Sequence, residues 1–151
     1  MTRAPYSGVL ADGIAHQLRR ATQAVNASWQ QHGSDLTAAQ FAVLQVLDER
    51  ESADQKTLGS LAAVDPSTLT PLLDRLQARG LITKATDPRN RRRHLVALTT
   101  HGREQAARGR IQAEETNRQV EELLGRERFF ILVTLLRELG DAALIRGLER
   151  S

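Results

Sequence analysis

The strongest constraint on this chain is the stretch Asp65-Pro66-Ser67-Thr68-Leu69-Thr70-Pro71-Leu72-Leu73-Asp74-Arg75-Leu76. Asp65 is a good N-cap, and Pro66 falls at the first helical position, where a missing N–H costs nothing. Leu69, Leu72, Leu73 and Leu76 recur at i, i+3, i+4 and i+7, which predicts one buried stripe. Ser67, Thr68, Thr70, Asp74 and Arg75 occupy the other face. Pro71 deletes a backbone bond to the Ser67 carbonyl and predicts a bend. Gly80 ends the helix. A shorter helix, from about Gln55 to Ala63, precedes it with Leu58, Leu61 and Ala62 inward. Two short helices with a tight connection, the second polar outside, make a helix-turn-helix.

Two strand candidates follow, Leu81-Ile82-Thr83-Lys84 and His94-Leu95-Val96-Ala97-Leu98. Between them lies a polar turn, Asp87-Pro88-Arg89-Asn90-Arg91-Arg92-Arg93, read as long and projecting. Net charge is only +3, yet Arg75, Arg79, Lys84, Arg89, Arg91, Arg92, Arg93, Arg103, Arg108 and Arg110 crowd one segment against Asp87 and Glu104 alone. A basic segment on a nearly neutral chain points to a polyanion met at one face. The bland alternative is a solvated loop.

Around this unit the chain reads as helical. Leu10, Ile14, Leu18, Val25 and Trp29 predict an amphipathic helix from Val9 to about Gln31, after an arm of residues 1–8. Leu36-Thr37-Ala38-Ala39-Gln40-Phe41 carries a Thr-x-x-Gln capping box with a Leu36–Phe41 staple, opening a helix to about Arg50. Glu51-Ser52-Ala53-Asp54 reads as a polar break. Thr99 or Thr100 caps a long helix to about Leu124, Gly125 breaks it, and a last helix spans roughly Glu127 to Glu149. That last helix is more apolar than one small domain hides, so with the first it implies a twofold dimer; folding back on the chain's own core is the alternative. The expected organisation is an arm and dimerisation helix over 1–35, a winged helix-turn-helix over 36–99, and C-terminal dimerisation helices over 100–151. The fold class is mainly α with a small β-hairpin wing.

These blocks resemble the MarR family of bacterial transcription regulators. The resemblance rests on Leu36-Thr37-x-x-Gln40-Phe41-x-x-Leu44, Asp65-x-Ser67-Thr68-Leu69-Thr70-x-Leu72-Leu73-Asp74-Arg75-Leu76, Arg79-Gly80-Leu81, Asp87-Pro88-Arg89-Asn90-x-Arg92 and Leu98-Thr99-x-x-Gly102. It implies a homodimer on a pseudo-palindromic double-stranded DNA operator, with two such helices in successive major grooves and the wings in flanking minor grooves. Ser67, Thr68 and Thr70 would then meet base edges and phosphates, and Arg75 the backbone or an acidic neighbour. Asp87 would pin a wing arginine. Arg92 would enter the minor groove, with Arg89, Arg91 and Arg93 beside it; narrow minor grooves attract arginine. In two places the chain departs from the pattern. Ala63 stands where glycine is common, so the turn should avoid a positive φ. Asn90 replaces a usual aspartate, leaving one acid fewer to hold Arg91 and Arg92.

Other chemistry finds little support. Thr68-Leu69-Thr70-Pro71-Leu72-Leu73 is also similar to peroxide-sensing relatives, which need a cysteine in the first helix, and the chain has none. His16, His32, His94 and His101 lack metal-ligand spacing, and no catalytic constellation or cofactor motif is present. No enzyme activity, metal or cofactor is expected. Nor is a membrane role, since neither a signal peptide core nor an apolar run of spanning length occurs, and the cytoplasm is the expected location. A small-molecule effector, an aromatic carboxylate or phenol, fits better. His16, Arg19 and Arg20 could supply its cation, and Trp29 or Phe41 its lining; a solvated face or plain core packing are the alternatives. A ligand-responsive repressor is the leading reading. A winged-helix module that binds protein and no specific DNA is the second.

Overall fold

The computed structural model describes residues 13–148 apart from 32 and 34, with side chains as far as 142. The arm over 1–8, the first helix before residue 13, His32 and the apolar side chains beyond 142 lie outside the described residues. Among the described residues six helices and three strands follow in order: α1 (Ile14–Gln30), α2 (Ala38–Arg50), β1 (Ser52–Asp54), α3 (Gln55–Ala62), α4 (Pro66–Ala78), β2 (Ile82–Asp87), β3 (Asn90–Leu98), α5 (Thr100–Leu124) and α6 (Arg126–Leu148). The chain forms two compact units, one through Ala113 and one from Glu114, the division falling within α5. The architecture is a winged helix-turn-helix, mostly helical with one small antiparallel sheet.

In the first unit the caps act as the sequence predicts. Thr37 and Gln40 exchange both capping-box bonds, at 3.2 and 3.0 Å, and start α2. Asp54 caps α3 through the Thr57 N–H, and Asp65 caps α4 through the Thr68 N–H. The leucine stripe of α4 is buried, packed with Val43, Leu44, Leu47, Leu58, Leu81, Ile82, Val96 and Leu98 into one core. Each such side chain contributes about 1.5–3 kcal/mol on burial, so the core fixes how α4 sits on the sheet. α4 is continuous through Pro71. The Thr99 hydroxyl donates to the Gly80 carbonyl at 2.6 Å and accepts from the Gly102 N–H, so the start of α5 is tied to the end of α4.

Three local expectations are corrected. The Glu51–Asp54 break contains β1, whose Ser52, Ala53 and Asp54 pair antiparallel with Ala97, Val96 and Leu95. The sheet order is therefore β1-β3-β2, with Ala53 and Val96 buried in it. The wing turn is short, because β2 runs to Asp87 and β3 begins at Asn90, leaving only Pro88 and Arg89 between them. Arg91, Arg92 and Arg93 are strand residues of a two-stranded ribbon solvated on both faces, which needs ladder bonds and no apolar alternation. Ala63 does take a positive φ, at 54°. Its N–H and that of Val64 return to the Ser60 and Gly59 carbonyls, closing α3 with a left-handed residue.

Helix α1 shows little burial of its own: Ile14 is 69% exposed and Val25 40%, and Trp29 is its buried residue. In the second unit α6 leaves Phe130, Ile131, Leu132, Leu135, Leu136 and Leu139 each between 39% and 56% exposed. No described helix is long and apolar enough to cross a membrane.

Candidate nucleic-acid interface

The outer face of α4 presents three hydroxyls whose bonding is already organised. Asp65 accepts the Ser67 hydroxyl and the Thr68 N–H on one carboxylate oxygen and the Thr68 hydroxyl, at 2.8 Å, on the other. Those donors, the Ser67 hydroxyl first, hold the Asp65 carboxyl at about 2, well below its usual 3.8. Thr70 donates its hydroxyl to the Pro66 carbonyl at 3.3 Å and accepts from the Gln55 side-chain amide at 2.8 Å, a bond between α3 and α4. Arg75 is exposed, with no ion pair among the described residues, while Asp74 on the same helix is paired with Lys84 of β2 at 2.7 Å. An exposed polar helix carried on a rigid core is the geometry a major groove admits.

The wing divides its arginines into two kinds. Asp87, 8% exposed, accepts the Arg89 N–H at 2.9 Å and lies 4.0 Å from the Arg93 guanidinium. Arg93 also forms an ion pair with Asp54 of β1. The Thr57 N–H, with help from Arg93, holds the Asp54 carboxyl at about 2. Asn90 turns its own side chain onto the Arg92 N–H at 3.1 Å, closing the turn where an acid would have offered charge. Among the described residues, no carboxylate holds the side chains of Arg89, Arg91 or Arg92, and all three are exposed. Asp87 thus braces Arg93, and three cations on the ribbon stay uncompensated.

The five residues expected around an effector do not form one cluster. His16 is half-buried and Arg19 and Arg20 are exposed on α1. Trp29 lies thirteen residues further on from His16, about 20 Å along the helix axis. Its indole N–H donates to the Leu36 carbonyl at 2.7 Å, and its ring centroid is 5.2 Å from that of Phe41. Trp29 also borders a cavity of about 550 Å³ with Thr22, Asn26, Asp35, Leu36 and Thr37. Among the described residues of its wall there is a carboxylate and no cation, a poor match for a carboxylate ligand. Gln112 of α5 escaped the sequence reading. It is 4% exposed, its amide donates to the Trp29 carbonyl, and its Oε1 has no partner among the described residues. A polar residue inside a helical run carries no periodicity signal, so only the fold could find it.

Comparison with known proteins agrees with this geometry. The MarR family model matches residues 36–94, from the α2 cap to the ribbon. The Escherichia coli O111:H- protein "Transcriptional regulator HosA" is 37% identical over 87 residues, 58% of this chain. The matched stretch spans 64% of that relative's own length, less than two thirds. Among solved structures, the PcaV transcriptional regulator of Streptomyces coelicolor, in complex with its natural ligand, superposes with a TM-score of 0.83 at 32% identity, over 91% of this chain and 99% of that one. Bordetella bronchiseptica BpsR, whose DNA binding is regulated by 6-hydroxynicotinic acid, gives 0.81 at 34% identity, also over 91% and 99%. With its capped α4, its leucine core and its arginine ribbon, the chain belongs to the MarR family.

Proposed function

We propose that this chain is a sequence-specific DNA-binding transcription regulator that acts as a homodimer and represses until a small aromatic acid or phenol releases it. The observation that carries the reading is the wing: Arg89, Arg91 and Arg92 are exposed and uncompensated beside the hydroxyl face of α4. Each phosphate a protein neutralises releases counterions, so such cations contribute affinity that falls steeply with salt. The domain scheme follows, with residues 36–99 contacting DNA and α1 and the C-terminal helices pairing two chains. The exposed apolar side chains of α6 supply surface that a twofold partner would cover.

For the effector, two separate places suit the two ligand groups: His16, Arg19 and Arg20 of α1 suit a carboxylate, and the Gln112 Oε1 beside Trp29, about 20 Å along the helix from His16, suits a phenol hydroxyl. The aromatic ligand of BpsR supports that class. Trp29 and Phe41 act first as packing, and the ligand class sets them no catalytic task. To invert a 99:1 preference between DNA-fitting and released forms, the effector must favour one by about 5.5 kcal/mol.

The test is fluorescence anisotropy of the chain on its own upstream DNA across a salt series, with sedimentation of the free protein. A dimer that binds one site tightly, with a slope reduced by Arg91→Ala and Arg92→Ala, is the expected result. A monomer, or a slope indifferent to both arginines, overturns it.

A further inference from the structure

Hydroxyls are ambiguous readers of DNA because each can donate or accept, and Ser67, Thr68 and Thr70 would ordinarily face either kind of base edge. Here the ambiguity is removed inside the protein. A carboxylate only accepts, so the Ser67 and Thr68 hydroxyls both spend their proton on Asp65. The Pro66 carbonyl also only accepts, so the Thr70 proton is directed inward, and the Gln55 amide N–H fills one Thr70 lone pair from a different helix. What remains open on all three oxygens, each on an exposed residue, is lone pairs.

We infer that the outer face of α4 reads DNA as an acceptor surface, taking exocyclic amino groups of adenine or cytosine, and that Asp65 and Gln55 are the positioning residues that impose this polarity without touching a base. In the major groove only adenine N6 and cytosine N4 offer donors, whereas guanine O6 and N7 and thymine O4 are acceptors. Lone pairs facing those acceptors repel them, so the device rejects wrong bases as well as holding right ones. Phosphate oxygens are acceptors too. Backbone contacts therefore fall to Arg75 and the wing arginines rather than to the α4 hydroxyls. Because Asp65 is ionised throughout the neutral range, its acceptor role does not lapse.

The inference rests on the DNA-binding reading, and selection from a random double-stranded library separates the two. The positions read by hydroxyls are those where Ser67→Ala or Thr68→Val flattens the base preference. At those positions the wild-type chain should favour an amino-bearing base by about fivefold or more. Asp65→Asn keeps a good N-cap but replaces one acceptor oxygen with an NH2 donor, which sends a hydroxyl proton outward. The preference at one or more of these positions should then invert towards guanine or thymine. Enrichment of the unchanged sequence by Asp65→Asn, merely with weaker affinity, overturns the inference and leaves Asp65 as a cap. So does a wild-type preference for guanine or thymine at those positions. Should Asp65→Asn melt below the assay temperature, Thr68→Ser and Thr68→Val decide. Valine marks the position that the Thr68 hydroxyl reads, serine must retain the amino-base preference there, and a serine chain that favours guanine or thymine at that position overturns the inference. A wild-type chain that enriches no sequence at all overturns the DNA reading itself.

Discussion

The Arg93 guanidinium and the Asp54 carboxylate form an ion pair between the wing and the cap of α3. One carboxylate therefore starts the first helix of the helix-turn-helix and braces the ribbon, so the two DNA-facing parts share a support. The Asp54 side chain is 19% exposed and that of Arg93 50%, which makes the pair half-solvated and worth about 0.2–1 kcal/mol. Asp54→Asn should keep the cap, lower stability at neutral pH by about that amount, and speed amide exchange in the ribbon. The pH dependence has a definite sign. A carboxyl held at about 2 in the fold against an ordinary 3.8 adds stability above about pH 4 and loses it as pH falls towards 2. Asp65 titrates in the same window, so the expectation concerns the difference between variant and wild type. Urea midpoints from pH 2 to 7 measure it; parallel curves would rule out the coupling.

The wing arginines should separate by partner. Arg91→Ala and Arg92→Ala each remove an uncompensated cation and should reduce the salt slope of DNA binding by about 1 where a phosphate is touched. Arg93→Ala removes a cation already paired with Asp54 and Asp87, so its main effect should be on the ribbon's stability. Anisotropy titrations at four or five salt concentrations read the slopes, and equal slope losses for all three would refute the division.

Ala63 should be improvable. An L-residue in the left-handed region costs about 1–2 kcal/mol, partly offset by the greater chain entropy glycine gives up on folding. Ala63→Gly should therefore stabilise the fold by about 0.5–1 kcal/mol, seen as a higher thermal midpoint. A midpoint at or below the wild-type value contradicts the strain.

Gly109 of α5 is needed where it is. A Cβ there would overlap the Phe41 ring, meeting its Cε2 at 2.9 Å, and that ring packs at a tilt against Trp29. Gly109→Ala gains about 1 kcal/mol of helix propensity and should still lose about 1–3 kcal/mol to overpacking. Adding Phe41→Leu should recover part of that loss. Independent, additive effects in a double-mutant cycle would show that the two positions do not press on each other.

The parts legible in the chain were those set by local chemistry. Thr37, Asp65, Gly80 and Gly125 mark helix ends through bonds a few residues long, and the α4 leucines carry their period whatever lies against them. Ser52–Asp54 could not announce itself as a strand, since three residues show no alternation and its pairing is decided by Val96 and its neighbours, over forty residues away. Arg91–Arg93 looked like loop because a solvated ribbon has the composition of one. For the interface, residue types on the outer face of α4 were readable, but the direction of their hydroxyl protons was not. That direction depends on Asp65 and on Gln55, the latter reaching across from another helix.

The chain contains a single tryptophan, and it is the one whose indole is bonded to Leu36 and packed against Phe41. Its intrinsic emission is therefore an unlabelled optical gauge of one junction, where α1 meets the start of α2. Any event that loosens α1 from α2 should shift the emission to the red with no dye attached, whereas an event confined to the wing should leave the spectrum dark to it.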